Sequence, residues 1–302
     1  MANNNLQMLS VLIPVYNYNI VALVSEIHKQ LQLSAIPFEI ICLDDASTEY
    51  VEDNKEISNL SYTTYNVSDG NKGRTATRQE LANLAKYEWL LFLDSDVIPK
   101  TESFISTYTS YLNSNYHAIY GGYAYRNEQP DDNNIRWAYG KSKEEVASEI
   151  RNKKPYKVVI SGNFMINKPL FLEINSKITE KGYGYDNYFG AILKELHARA
   201  LHIDNEVYHL GLESNSKFLN KTEEAINTLL NLFNTKRIDV TDNDLLQVFK
   251  TLKKWKLNYV IAKVFGWLKS PLRRHLNGKR FSIVMFQFYK LGYMCYKDLN
   301  SK

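Results

Sequence analysis

Two apolar, strand-like runs in the chain end in pairs of carboxylates. In "EWLLFLDSDVIPK" (88–100), the residues from Trp89 to Leu93 give way to Asp94 and Asp96. In "FEIICLDD" (38–45), the run ends in Asp44 and Asp45. Carboxylates that converge repel one another unless a cation holds them. A hard divalent ion, Mg²⁺ or Mn²⁺, carrying a bound phosphate is the economical partner. Period-two alternation puts Asp94 and Asp96 on one face if the strand continues to residue 96. Aspartate at a strand end also starts turns and caps helices, so one Asp-x-Asp alone is a weak signal, and Asp44 reads equally well as a helix cap. The weight comes from two such pairs, about 50 residues apart, each behind a buried strand.

Other residues carry chemistry by type and place. "NKGRTATRQ" (71–79) sets Gly73, which permits a tight turn, before Arg74 and Arg78. Arg78 falls in the first turns of a helix, where a guanidinium can reach a diphosphate; an exposed basic helix start is the plainer reading. His209 in "VYHLG" follows an apolar strand and precedes a glycine, and a lone histidine there reads first as structural. Asp186 in "GYGYDNYFG" suits the N-cap of a helix starting near 188. Gly182 and Gly184 beside it let that loop pack closely against a substrate.

The elements that must position these groups alternate. "MLSVLIPV" (8–15) is a short apolar run consistent with a buried parallel strand, and Ile20, Leu23, Val24, Ile27 and Leu31 recur at helical spacing. Strands over 38–45 and 61–67, a helix over 75–86 and the strand ending at Asp94 complete an α/β layered domain with a mainly parallel sheet. In such sheets ligands bind at the carboxyl ends of the strands, where both aspartate pairs lie. Further on, 104–113 predicts a helix, 117–125 a strand, 126–134 a polar loop, 143–153 a helix, 156–167 a strand, 188–200 a helix and 201–211 a strand. From 222 the pattern is largely helical.

With 302 residues, 44% of them apolar, the chain can bury one large domain or a domain with an appendage. Cys42 and Cys295 imply no disulfide framework, and Cys42 reads as a small core residue. The N-terminus lacks a basic stretch before its apolar run, so no signal peptide is expected. The apolar stretch 281–296 is shorter than the ~20 residues a spanning helix needs, and Lys290 interrupts it. The expected location is the cytoplasm. Charge is uneven: from residue 250 onward there are 13 lysines and arginines against the single acid Asp298, while the preceding 249 residues are net acidic.

As an ordered set, "SVLIPVYN", "ICLDDAS", "NKGRTATRQELANLA", "WLLFLDSDV", "VVISGNFMINKPLF", "GYGYDNYFGAIL" and "VYHLGLES" resemble family 2 inverting glycosyltransferases with a GT-A fold, over roughly residues 8–225. The resemblance implies a GT-A domain at 1–225, with a donor half to about residue 100 and an acceptor half after it, then a helical basic region at 226–302. It implies a UDP-sugar donor whose uracil is read by Asp45 with Asp44 beside it, in a pocket walled by Pro14 and Tyr16. A carboxylate can accept the uracil imide N–H. Gly73 and Arg78 then serve the diphosphate. Asp96 ligates the metal, and Asp94 ligates it too or contacts the ribose or a metal-bound water. His209 completes the metal site, while His28, His117, His197, His202 and His275 stay structural. Asp186 becomes the catalytic base by position, although the family often has a Glu-Asp pair where this chain has Asp186 and Asn187. Asn163 and Gly184 border the acceptor. Asn163 there reads equally as a turn residue.

The basic tail interleaves Trp255, Tyr259, Phe265 and Trp267 with lysine and arginine, a pattern found in segments lying on anionic membranes, and it suits an acceptor on a lipid or a growing surface glycan. A solvated helical lid or an oligomer contact is the rival reading, and no nucleic-acid partner is expected. Pro271 should break any single helix through the region. Two other functions compete. A nucleotidyltransferase would show a glycine-rich phosphate loop where this chain has "PVYNYN". An inactive sugar-binding module would be expected to lose a carboxylate from the metal or base position, and the chain keeps both.

Overall fold

The computed structural model describes residues 8–128, 130, 134–238, 242–278 and 280–300. The first seven residues, and 129 and 131–133 of the polar loop, lie outside the described residues. Strands β1 (Leu9–Val15), β2 (Phe38–Asp44), β3 (Thr63–Val67) and β4 (Trp89–Leu93) run parallel in the order β3-β2-β1-β4. Their registers bring Val15 opposite Asp44 and Leu12 opposite Phe92, so the carboxylate-bearing ends line up along one edge.

Beyond β4 the sheet continues through β8 (Asn163–Asn167), β6 (Ala118–Tyr120) and β9 (Ala200–His202), with β8 antiparallel to both its neighbours. The mainly parallel GT-A-type sheet therefore carries one reversed strand. Alternation along β1 and β4 sends Val11, Ile13, Leu91 and Leu93 to one face, where they meet Leu23, Val24 and Ile27 of helix α1 (Val21–Leu33). The other face places Leu12, Leu90 and Phe92 against Leu81 of α3 (Arg74–Leu84), Phe171 of α7 (Lys168–Ser176) and Phe189 of α8 (Asp186–Glu195). Short helices α2 (Val51–Lys55) and α4 (Phe104–Thr109) close connections on the way.

A second, small sheet matters more for the site than its size suggests. It orders β5 (Val97–Pro99), β10 (Val207–His209) and β7 (Tyr123–Ala124), and antiparallel pairing of β5 with β10 sets His209 opposite Val97. The sequence predicts a helix over 143–153, yet only the short α6 (Ser148–Asn152) forms after a wide turn at 140–144. Glu144 and Glu145 account for the break. The first accepts from the Tyr125 hydroxyl and pairs with Arg136, and the second accepts from the Tyr125 backbone N–H and pairs with Lys141. Likewise, the strand expected from 156 begins only at Asn163, because 161–162 bends over Asp94, whose amide donates to the Gly162 carbonyl (3.1 Å).

The C-terminal helices α9 (Asn215–Asn234), α10 (Asp244–Lys254), α11 (Asn258–Asn277) and α12 (Ile283–Asn300) share a third core containing Leu219, Ile226, Phe249, Phe265, Phe286 and Tyr289. The expected boundary at 225 falls inside α9. Ile135 of helix α5 (Ile135–Tyr139) sits in the same core, and Tyr185 and Tyr188 pack on it. Pro271 does not break the helix: α11 runs through it. Proline removes one ladder bond, and the carbonyl it frees belongs to Trp267, on the exposed side of the helix.

Candidate active site

A cavity of about 930 Å³ opens at the carboxyl ends of β1, β2 and β4. Pro14, Tyr16, Asp45, Gly73, Asp94, Asp96, Asp186 and His209 all line it, drawn from segments nearly 200 residues apart. Six carboxylates (Asp45, Asp94, Asp96, Glu144, Asp186 and Glu213) face four cations (Arg74, Arg136, Lys217 and Lys221) there. A diphosphate entering this negative balance needs an additional cation.

The aspartates of the first pair part company. Asp44 is fully buried and does not line the cavity. One of its oxygens accepts the Ser47 amide (2.6 Å) and the other the Tyr65 hydroxyl (2.5 Å), so it builds the turn after β2. Asp45 reaches the cavity and accepts the amides of Lys72 (2.6 Å) and Gly73 (2.8 Å). It thereby pins the loop that starts α3, where Gly73 sits at φ +84°, a region open to glycine. Asn17 ties the two flanking loops together by accepting the Thr48 amide (2.8 Å) and donating its own amide to Ser47 Oγ (2.7 Å).

Of the two arginines, Arg78, expected at the diphosphate, lies deeper than Arg74. Arg78 shares a helix face with Leu81 and Ala82 and is buried, stacked near Phe92 and Phe164 (5.7 and 6.0 Å to the ring centres). It donates to Asp94 Oδ1 (2.6 Å) and to the Ser161 carbonyl. Arg74, one turn nearer the strand ends, lines the cavity and donates to Asp94 Oδ2 (2.6 Å) and Ser161 Oγ (3.1 Å). Burial alone would raise the Asp94 pKa, but the two guanidinium groups overcome it and hold the carboxyl well below the usual range. Arg78→Ala would leave this carboxylate short of a partner and open a gap under Phe92. We expect a loss of about 3–5 kcal/mol of stability, read as a lowered midpoint in urea unfolding.

Asp96 and His209 form the other pole. β4 ends at Leu93, so Asp94 and Asp96 stand on the turn to β5 rather than on one strand face. His209 Nε2 lies 3.6 Å from Asp96 Oδ2, and the Leu210 amide donates to the Asp96 carbonyl (2.8 Å). Gly211 makes the approach possible, because a Cβ there would overlap the Asp96 carboxylate. The imidazole lies between Tyr123 and Tyr125, with Nδ1 buried and unpartnered among the described residues. Burial lowers its pKa against the pull of Asp96, which favours the neutral ring, the form that ligates metals. No three His, Cys, Asp or Glu side chains among the described residues gather into a self-sufficient metal site. Magnesium-type sites need only one or two carboxylates when phosphates and water supply the rest, so Asp96 fits such an ion, and the neutral His209 ring beside it adds a nitrogen donor of the kind transition ions take. Both Asp94 oxygens are engaged by arginine instead.

Asp186 opens α8 at its first helical position rather than capping it, and its carboxylate takes no hydrogen bond from a described residue. Asn187 accepts from Asn243, the N-cap of α10 (2.8 Å). Gly184, at φ +96°, makes its close approach to Ala225 of α9, where a Cβ would come within 2.8 Å of Cα, so the loop is pressed on that helix. Asn163 is a correction: it is fully buried, donating to the carbonyls of Gly122 and Asn205 (both 2.9 Å) and accepting from Tyr108 (2.7 Å), with no group left for an acceptor.

Residues 10–174, more than half of the chain, match the family model described as glycosyl transferase family 2. The chain belongs to that family.

Among relatives of this family 2 member, the poly(ribitol-phosphate) beta-glucosyltransferase of Bacillus spizizenii is 34% identical over 108 residues. That match covers 33% of this chain and 16% of that protein. A mannosyltransferase of Pyrobaculum calidifontis solved with GDP-Man and Mn²⁺ is 11% identical, with a TM-score of 0.57 over 97% of this chain and 87% of that one. Glucosyl-3-phosphoglycerate synthase of Mycobacterium tuberculosis, solved with Mn²⁺, UDP and glucosyl-3-phosphoglycerate, is 16% identical, with a TM-score of 0.50 over 74% of this chain and 79% of that one. These structures share the GT-A fold with the family 2 chain.

Sequence reasoning about this family 2 chain missed part of the far wall. Lys217, Phe218 and Lys221 of α9 line it, with Lys221 paired to Glu213 (2.7 Å) and poised over the Tyr183 ring (5.1 Å). Arg136 faces the cavity paired with Glu144 (3.0 Å). No local motif marks these residues; only the helical period of 215–234, read for its polar face, would have raised Lys217 and Lys221.

Proposed function

We propose that this family 2 member transfers a sugar, with inversion, from a nucleotide-diphosphate donor to a hydroxyl of a glycan or lipid-linked saccharide in cell-surface polymer synthesis. A UDP-sugar is the donor. The observation that carries the reading is one cavity holding the Asp96–His209 pair, the arginine-held Asp94 and the unengaged carboxylate of Asp186.

The exposed Tyr16 ring offers a flat wall for a base, and Asp45 retains lone pairs for an imide N–H beyond the two loop amides it accepts. Arg74 faces the diphosphate position. Asp186 takes the proton of the acceptor hydroxyl as its oxygen bonds to the anomeric carbon and the bond to the diphosphate oxygen breaks on the opposite side. A divalent ion on Asp96 and His209 supplies, when bound, charge neutralisation for the departing diphosphate. The name of the Bacillus relative supports a polyol-phosphate polymer as acceptor, which Lys217 on the far wall suits.

Binding and slow hydrolysis of a nucleotide-sugar panel, measured with Mn²⁺, Mg²⁺ or EDTA, test the reading. One UDP-sugar bound only with metal is the expected result. A folded protein that binds none of them would sink it.

A further inference from the structure

The outer face of α11 is unpartnered. Val260, Val264, Trp267, Pro271 and Arg274 follow one another at steps of four, three, four and three residues, and all are exposed, as are Lys263 beside them and Lys256 in the turn before the helix. Trp267 is 82% exposed and Trp255, just before the helix, 69%. The opposite face, with Ala262, Phe265, Leu272 and Leu276, is buried in the C-terminal core, so the stripe points away from the bundle. Val284, Met285 and Phe288 add exposed apolar surface at the start of α12.

The cations are as telling as the apolar groups. Lys254, Lys256, Lys263 and Arg274 form no ion pair with a described residue, whereas Lys253 and Arg273 are held inward by Asp298 and Glu223 (both 2.6 Å). Exposed aromatic and aliphatic side chains interleaved with free cations on one helix face match the chemistry of an anionic lipid headgroup layer. A second copy would set this cationic face against itself in a two-fold contact. A nucleic acid would engage the lysines and leave Val260, Val264 and Leu268 in water. Among the described residues no helix is long and apolar enough to cross a membrane, so the contact is along the surface.

We propose that the α11 face docks this protein on an anionic bilayer, with Trp267 at headgroup depth and Lys256, Lys263 and Arg274 around it. α11 is tied to the cavity wall through Arg273, which donates to Asn220 and Glu223 of α9, so docking fixes the site close to the bilayer.

Flotation of the full chain with phosphatidylglycerol-containing vesicles, phosphatidylcholine vesicles or none tests the proposal. A duplex DNA shift assay and sedimentation velocity run in parallel. The wild type should float with the anionic vesicles and less as salt rises. Lys256→Glu/Lys263→Glu/Arg274→Glu should weaken that binding at least about a hundredfold, roughly fivefold for each cation lost before the added repulsion of the glutamates. Val264→Ser/Trp267→Ser should also lose it, with circular dichroism unchanged because all five side chains are exposed. No flotation of the wild type, or flotation unchanged in the serine variant, would overturn the proposal. So would self-association or DNA binding abolished by the same substitutions in a protein that does not float. Vesicle binding needs no nucleotide sugar, so its failure is distinct from a failure of the transferase reading.

Discussion

Asp186→Asn is expected to bind its nucleotide sugar as the wild type does and to transfer it 10²–10⁴-fold more slowly, the usual worth of a general base. The argument is one of position and availability. Asp186 is the first residue of α8, lines the cavity and accepts no hydrogen bond from a described residue, unlike Asp44, Asp45 and Asp94. Asparagine keeps the volume and cannot take the proton. Single-turnover transfer to a soluble acceptor, with donor affinity measured separately, reads the two effects apart. Wild-type turnover in the variant would end the assignment, and a parallel loss of donor affinity would give Asp186 a binding role instead.

Asp96→Ala is expected to remove the metal dependence of donor binding and at least ~100-fold of the affinity measured with Mn²⁺. The cavity already carries more carboxylates than cations, so a diphosphate that loses its counter-ion meets net repulsion. Calorimetric titration of a UDP-sugar into wild type and variant, with Mn²⁺ and with EDTA, makes the comparison. If EDTA leaves wild-type affinity unchanged, the ion has no part in donor binding. If the variant keeps the metal effect, the ion is held elsewhere.

What could be read from the chain beforehand depended on how local the cause was. The β1, β2 and β4 runs are largely apolar on both faces, and that pattern suits the middle of a covered parallel sheet. The placement of Asp45, Asp94 and Asp96 at one edge followed from it. The arginines were legible in kind and misjudged in depth. Arg78 repeats with Leu81 and Ala82 at three and four residues, which already marks a buried face, and Arg74 is the one at the mouth. The partners of Asn163 and Gly184 eluded the sequence because they are distant. An amide satisfied by Tyr108, Gly122 and Asn205, and a glycine pressed on Ala225, leave no trace in neighbouring residues. Nor does the sequence around Pro271 show that α11 runs through it.

Helix α9 has two loyalties, and they constrain how this protein can change over generations. One side offers Lys217, Phe218 and Lys221 to the cavity, while Leu219, Ile226 and Leu230 are locked into the C-terminal core. Asn187, beside Asp186, leans on the cap of α10. The walls near Pro14, Tyr16 and Asp45 are tied instead to the loops after β2 and before α3, with no hydrogen bond to the bundle among the described residues. Mutational drift on that side can retune one half of the cavity while the bundle stays as it is. On the α9 side, each substitution is screened twice, once by what the cavity holds and once by whether four helices still pack.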